Sequence, residues 1–202
     1  PVLLPETAQA LQSNKSGALR RMLVQGLRNT DARVHADQPV SPAFLYAVLL
    51  WPAYCRALAL LQAQGVHAAE AQRRAADRVT LHQVARIALP RRFSQPMQEI
   101  WLLQPRFTLR LRKRVFRLLS HPRFRAAFDF LELRLAASDS HAGDVAFWRE
   151  AQLHPTDATA NTAQDDLTPD EIGSDEMAGA GEPPRKRRRR RRRPTDTSPA
   201  AE

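Results

Sequence analysis

Basic side chains at helical spacing are the residues of this sequence best suited to a chemical role. Within Thr108–Leu119, four bases fall at positions i, i+3, i+4 and i+7: Arg110, Lys113, Arg114 and Arg117. On a helix these bases share one face, opposite Leu111, Val115 and Leu118. Like charges one turn apart repel each other by a few tenths of a kcal/mol, and an anionic partner would relieve that repulsion. The spacing therefore predicts binding of RNA or another polyanion, with a solvated helix face as the alternative.

This stripe belongs to a longer basic segment. Residues 86–128 hold eleven bases and one acid, Glu99, and a run of nine bases follows at residues 185–193. The run attracts any polyanion without sequence specificity, and nuclear import or attraction to a membrane surface are its rival interpretations. The candidate RNA-binding residues are Arg86, Arg91, Arg92, Arg106, Arg110, Lys113, Arg114, Arg117, Arg123, Arg125, Arg185, Lys186, Arg187, Arg188, Arg189, Arg190, Arg191, Arg192 and Arg193.

Four aromatic residues are interleaved with these bases: Phe93, Trp101, Phe107 and Phe116. Aromatic rings can stack on unpaired bases of RNA. Their helical spacing nevertheless favours packing in a protein core for most of the four.

Motifs for catalysis and for metal binding are missing from the sequence. It has no glycine-rich phosphate loop, and its six histidines form no HxxH or HxxxH pair. A single cysteine, Cys55, excludes a disulfide scaffold and a cysteine-based zinc site, and its apolar surroundings favour an inert buried thiol. We therefore expect no catalytic residue, no metal site and no cofactor in this chain.

The elements that carry the bases are predicted to be helices. Apolar residues recur at helical spacing through residues 1–150, and no alternating strand pattern interrupts them. Ser41 and Pro42 form a helix-start signal, and the apolar stretch Ala43–Leu61 reads as a buried helix or helix pair and not as an integral membrane segment. We predict an all-α, irregular body of about six helices over residues 1–150.

The remaining helix boundaries follow from proline and capping residues. An alanine-rich pattern over Ala68–Leu89 should end at Pro90, and Ser94 should start the next helix, which ends near Pro105. The dipeptide His121-Pro122 should start the last helix of the body, with Phe124, Phe128, Leu131 and Leu135 on one face.

The composition changes after the body. Residues 155–182 hold eight acidic residues and no base, and the nine-base run follows them. We predict that residues 151–202 form a disordered tail with an acidic block at 165–176 and a basic run at 185–193. Because these charges nearly cancel, the net charge of +10 comes from the body.

Several strings resemble the C-terminal half of the bacterial poly(A) polymerase I family. They are Leu27-Arg28-Asn29-Thr30-Asp31-Ala32-Arg33, Val40-Ser41-Pro42-Ala43-Phe44-Leu45, Glu99-Ile100-Trp101-Leu102-Leu103-Gln104 and His121-Pro122-Arg123-Phe124-Arg125-Ala126-Ala127-Phe128. The similarity runs in order from about Leu3 to Glu150, and an arginine-rich end after an acidic spacer is also similar to that family.

The resemblance implies a bacterial cytoplasmic enzyme that adds AMP from ATP to RNA 3′ ends, in which the helical part binds single-stranded RNA. A head that holds ATP and Mg²⁺ is absent here, and the lack of an initial Met before Pro1 suggests a fragment. We therefore expect this piece to be inactive alone, with RNA and, in the cell, an RNA chaperone or the RNA-decay machinery as partners. The alternatives are a helical protein-interaction module without enzymatic activity and the C-terminal part of a CCA-adding enzyme.

Overall fold

The computed structural model describes residues 3–138 and 142–153, and this part of the chain is all-α, as predicted. A 3-10 turn at Gln104–Thr108 separates the fifth and sixth helices. The predicted division at residue 150 falls inside the last described helix, which continues to Leu153, and the predicted acidic block and basic run lie outside the described residues. The helices are α1 (Pro5–Ser13), α2 (Ala18–His35), α3 (Pro42–Ala63), α4 (Ala68–Val84), α5 (Arg91–Leu103), α6 (Arg112–Leu119), α7 (Phe124–Ala136) and α8 (Ala142–Leu153).

Helix α3 is the central element, and α1, α2, α4, α5 and α7 pack around it. The Ser41 hydroxyl accepts a hydrogen bond from the Phe44 amide at 3.4 Å, which confirms the predicted helix start. The helix continues through Pro52, so the apolar stretch is one helix and not a pair. Although α3 is long and apolar enough to cross a membrane, nine of its residues are buried by its neighbours. It is the core helix that the sequence predicts.

Aromatic rings form the centre of the first core. The ring of Tyr54 stacks on Trp101 at 4.9 Å and on Trp51 at 5.1 Å, and Phe130 of α7 meets Trp51 edge to face. The indole N–H of Trp101 donates to the carbonyl oxygen of Ala47 at 3.1 Å, which satisfies a fully buried donor. These contacts fix α5 and α7 against α3.

A second core lies under the basic helix α6. Val115 and Leu118 of α6 are buried against Phe124, Phe128 and other residues of α7, the 3-10 turn and α8. The predicted apolar face of α7 is confirmed, since Phe124, Phe128, Leu131 and Leu135 are all buried. Helix α8 follows α7 and closes this core with Trp148, which is fully buried.

The structure corrects several of the predicted helices. The described ranges hold eight α-helices and not about six, and α7, which begins at Phe124, is followed by α8 and so is not the last helix of the body. Two boundaries near Pro90 also differ from the predicted ones. Helix α4 ends at Val84, five residues before Leu89, and residues 85–90 form turns and an extended stretch. Helix α5 begins at Arg91, directly after Pro90, and Ser94 is a buried residue inside it. The residue that follows a proline can begin a helix, whereas the residue before a proline, here Leu89, is driven towards extended backbone.

Candidate nucleic-acid interface

The structure places all ten predicted basic residues of the body on the surface, and they form two groups along the chain. Arg86, Arg91 and Arg92 lie before α5 and in its first turn. The other seven lie in the 3-10 turn, on or next to α6, and at the start of α7. Arg123 of the second group reaches back to α5, where it pairs with Glu99.

Three bases of the second group have acidic partners. Arg110 pairs with Asp144 of α8, Arg123 with Glu99 at 3.0 Å, and Arg125 with Asp129 at 3.0 Å. Burial raises the pKa of the Asp129 carboxyl, while the nearby Arg125 acts in the opposite direction. These three arginines are already partly neutralised within the fold.

Arg110 does not belong to the helical stripe that the sequence predicts. Helix α6 begins at Arg112, with Leu111 in extended backbone at its N-cap, so Arg110 lies before the helix. Its guanidinium contacts Asp144 and lies 4.8 Å from the centre of the Phe147 ring. Sequence spacing did not reveal these partners on α8.

Helix α6 instead presents Arg112, Lys113, Arg114 and Arg117. All four side chains are exposed, and none forms an ion pair with another residue of the described part of the chain. Arg112, which was not among the predicted site residues, lies in the first turn. With four unpaired cations on eight residues, α6 is the helix of the described ranges with the highest density of unpaired positive charge.

The helix ends add to this positive potential. Helices α5, α6 and α7 have no acid in their first turns, which carry bases at Arg91, Arg112 and Arg125 among others. Because the N-terminal end of a helix is itself positive, these cations oppose the usual preference for acids there. Bound phosphates would offset that unfavourable arrangement.

His121 lies between the last turn of α6 and α7, beside Arg106 and Arg123. Its Nδ1 accepts the backbone N–H of Arg123 at 3.0 Å. Burial lowers the pKa of His121, Glu99 counters that effect, and Arg106 and Arg123 lower the pKa further. The imidazole is therefore neutral at pH 7 and leaves the positive charge here to the arginines.

The four interleaved aromatic residues have different surroundings. Trp101 and Phe107 are fully buried, which confirms the prediction of core packing, and Phe93 is partly buried below the guanidinium of Arg92 at 4.8 Å. Phe116 is the exception, because its side chain is 61% exposed on α6. The sequence pattern did not distinguish Phe116 from the aromatic residues of the core. Its neighbours in the sequence are the apolar Val115 and several bases, and these do not show which side of the helix is buried.

A second arginine-lined surface was not predicted. A groove of about 550 Å³ between α2 and the end of α7 is lined by Arg20, Arg21 and Arg28 over an apolar floor that includes Val24 and Leu133. Arg21 is held in place, because it donates to the Ala137 carbonyl oxygen at 3.1 and 2.8 Å. These arginines lie within eight residues of each other on one helix, but their spacing in the sequence did not predict that they line a common groove.

Two further predictions concern metal binding and the basic run at residues 185–193. In the ranges 3–138 and 142–153, no three histidine, cysteine or acidic side chains come together as metal ligands would. The predicted RNA-binding residues 185–193 lie outside the described residues, so their placement stays a prediction.

Comparisons with known proteins agree with the motifs. Residues 64–194 match the family model "Polymerase A arginine-rich C-terminus". Over 133 residues, or 65% of this chain, the sequence is 37% identical to Poly(A) polymerase I of Escherichia coli O157:H7 and to that of Salmonella typhi. It is 29% identical over 153 residues, or 75% of the chain, to Poly(A) polymerase I of Haemophilus influenzae. The matched regions span 29% and 34% of the lengths of these relatives. The chain therefore belongs to the family of the polymerase A arginine-rich C-terminus and is related to bacterial poly(A) polymerase.

Proposed function

We propose that this chain binds RNA through the exposed cations of α6 as part of a bacterial cytoplasmic poly(A) polymerase. The observation that carries the proposal is the set of four bases, Arg112, Lys113, Arg114 and Arg117, which are exposed and unpaired among the described residues. Lysine and arginine side chains that neutralise phosphates supply most of the affinity of sequence-independent nucleic-acid binding.

Neighbouring groups would assist this contact. Arg106 is exposed beside the neutral His121, and Arg114 and Arg117 continue the positive surface along α6. The guanidinium group of arginine is always charged and can donate two parallel hydrogen bonds to phosphate oxygens. Together these bases would hold the backbone of an RNA strand while its 3′ end reaches the catalytic part of the enzyme.

The chemistry itself is assigned to another part of the polymerase. The whole enzyme would join AMP from ATP to an RNA 3′ hydroxyl, with Mg²⁺ assisting. Five carboxylates of the described region pair with arginines, namely those of Glu70, Glu99, Asp129, Glu132 and Asp144, and the acidic side chains there do not group as metal ligands. The residues of this chain would therefore bind and orient RNA and carry out no bond-making step.

The proposal is tested with the chain itself and a fluorescently labelled single-stranded oligoadenylate. We expect binding by fluorescence anisotropy, with an affinity that falls steeply as salt is raised. We also expect no incorporation of labelled ATP. Absence of binding at low salt would refute the RNA-binding role, and extension of the RNA by this chain alone would refute the assignment of catalysis elsewhere.

A further inference from the structure

The exposed ring of Phe116 is unlike the other aromatic side chains of this protein. The sequence contains eight phenylalanines, three tryptophans and two tyrosines, and all of them lie in the described ranges. Phe116 is the only one of them that is classed as exposed, at 61% of its surface. An isolated exposed apolar residue is ordinary, but an exposed ring among unpaired cations is a specific combination.

The position of Phe116 on α6 places it inside the basic face. With a turn of 100° per residue, Phe116 lies roughly 40° from Arg112 and 60° from Lys113 in helical projection, between the two. In the same projection the buried residues Val115 and Leu118 lie roughly 100° and 160° from Phe116. Leu119, which packs partly against the second core, lies about 60° away on the far side of Arg112. The ring is therefore near the edge of the surface that the cations present to solvent, and Arg112 lies between it and the core face.

The faces of the ring are also free within the described part of the chain. Phe93 lies below the guanidinium of Arg92, and Phe147 lies below that of Arg110, each at 4.8 Å. No arginine covers Phe116, and no aromatic ring described here packs against it. Phe147 beside α6 and Phe93 at the start of α5 are thus each covered by an arginine, while Phe116 offers a bare π-face.

We infer that Phe116 is a site on which nucleobases stack. This inference rests on the proposed RNA-binding function, and it specifies that the bound RNA is a strand with unpaired bases. Surfaces that bind single strands combine cations that follow the backbone with rings on which bases stack. Arg112 and Lys113 supply the cations on the two sides of Phe116. Base pairs of a duplex are stacked on each other, so a duplex offers no base to this ring.

The test compares variants of the whole chain for binding to single-stranded oligoadenylate and to inorganic polyphosphate, which has charge but no bases. Phe116→Ala should weaken oligoadenylate binding by about five- to hundredfold and should leave polyphosphate binding unchanged. The slope of log Kd against log salt should also be unchanged, because no cation is lost. Phe116→Trp should retain the affinity, and Phe116→Leu should lose most of it.

Two controls separate stacking from other effects. Leu81→Ala removes a side chain that is 68% exposed on α4. This variant should bind oligoadenylate and polyphosphate with the affinities of the parent chain. The three native tryptophans are buried, so Phe116→Trp adds an exposed indole whose fluorescence should be quenched by oligoadenylate but not by polyphosphate.

The possible results distinguish this inference from the proposal on which it rests. Equal binding of oligoadenylate by Phe116→Ala and the parent chain would overturn the stacking site but leave RNA binding by α6 intact. An equal loss of affinity for polyphosphate would also overturn the stacking site, since it would show that the variant disturbs the charged surface. Failure of the parent chain to bind oligoadenylate at all would refute the proposed function itself.

Discussion

The indole N–H of Trp148 donates a hydrogen bond of 2.8 Å to the carbonyl oxygen of Phe107. Trp148 lies on α8 and Phe107 in the 3-10 turn, and the two rings also meet edge to face at 5.2 Å. Both side chains are fully buried. Because the 3-10 turn leads directly to α6, this pair couples α8 to the position of the basic helix.

Removal of the Trp148 ring should therefore destabilise the second core. We expect Trp148→Ala to lower the free energy of unfolding by about 3–5 kcal/mol, as the loss of a large buried ring does. Trp148→Phe keeps a ring but leaves the Phe107 carbonyl without its partner, which should cost about 1–3 kcal/mol. Urea titrations followed by circular dichroism measure both values. A Trp148→Phe variant as stable as the parent would show that the hydrogen bond contributes nothing.

Loss of two unpaired cations from α6 should weaken RNA binding. We expect Arg114→Gln combined with Arg117→Gln to reduce affinity for single-stranded RNA and to make the log–log salt slope shallower by up to about 1.4, at 0.7 for each phosphate contact. A matched control, Arg73→Gln combined with Arg78→Gln, removes the same charge from exposed positions of α4. Equal effects of the two double variants on anisotropy titrations would mean that binding depends on net charge and not on α6.

The sequence predicted the fold well because helical periodicity and capping are local signals. The start of α3 at Pro42 and the buried face of α7 follow from residues within one or two turns of each other. The boundaries near Pro90 were less accurate, since the end of α4 depends also on tertiary contacts such as the hydrogen bond from Gln83 to the Leu3 carbonyl.

The candidate site was predicted less completely than the fold. Its helical spacing predicted that Arg110 belongs to the basic stripe. Its partners Asp144 and Phe147 lie more than thirty residues further along the chain, so no pattern within one helix reveals them. Spacing also could not show that Phe116 is exposed, because that depends on which side of α6 the second core covers. Pairing and exposure are properties of the tertiary structure.

Gly26 should be intolerant of a side chain, because α2 approaches α3 and α7 closely there. A Cβ at this position would lie 2.7 Å from Cγ1 of Val48 and 3.2 Å from Cδ2 of Leu133. We expect Gly26→Ala to lower the free energy of unfolding by about 1–3 kcal/mol through overpacking. Gly143 of α8 is the control, since a Cβ there meets nothing within 4 Å. Thermal melts should show Gly143→Ala to be neutral or slightly stabilising, and a neutral Gly26→Ala would contradict the close approach.

The stability of the fold should fall on acidification partly through His121. Its pKa is lowered in the folded state from the ordinary 6.5, chiefly by burial. The unfolded chain therefore binds the proton more readily, so the contribution of His121 is complete above pH 6.5 and decreases as the pH falls from there through the folded pKa. We expect the difference in unfolding free energy between the parent and His121→Asn to narrow between pH 7.5 and pH 5. A difference that is constant over this range would show that His121 does not titrate with folding.

Cys55 should be inert towards thiol reagents while the protein is folded. It is the single cysteine of the chain and is partly buried on α3, and desolvation raises the pKa of its thiol to about 12, with Arg134 acting in the opposite direction. Because only the thiolate is nucleophilic, iodoacetamide at pH 8 should modify the native protein about a hundredfold or more slowly than the unfolded chain. The rate should rise with urea in step with the loss of helical signal. Rapid modification of the fully helical protein would show instead that the thiol is accessible and ionised, and Cys55 would then have to be regarded as a reactive group.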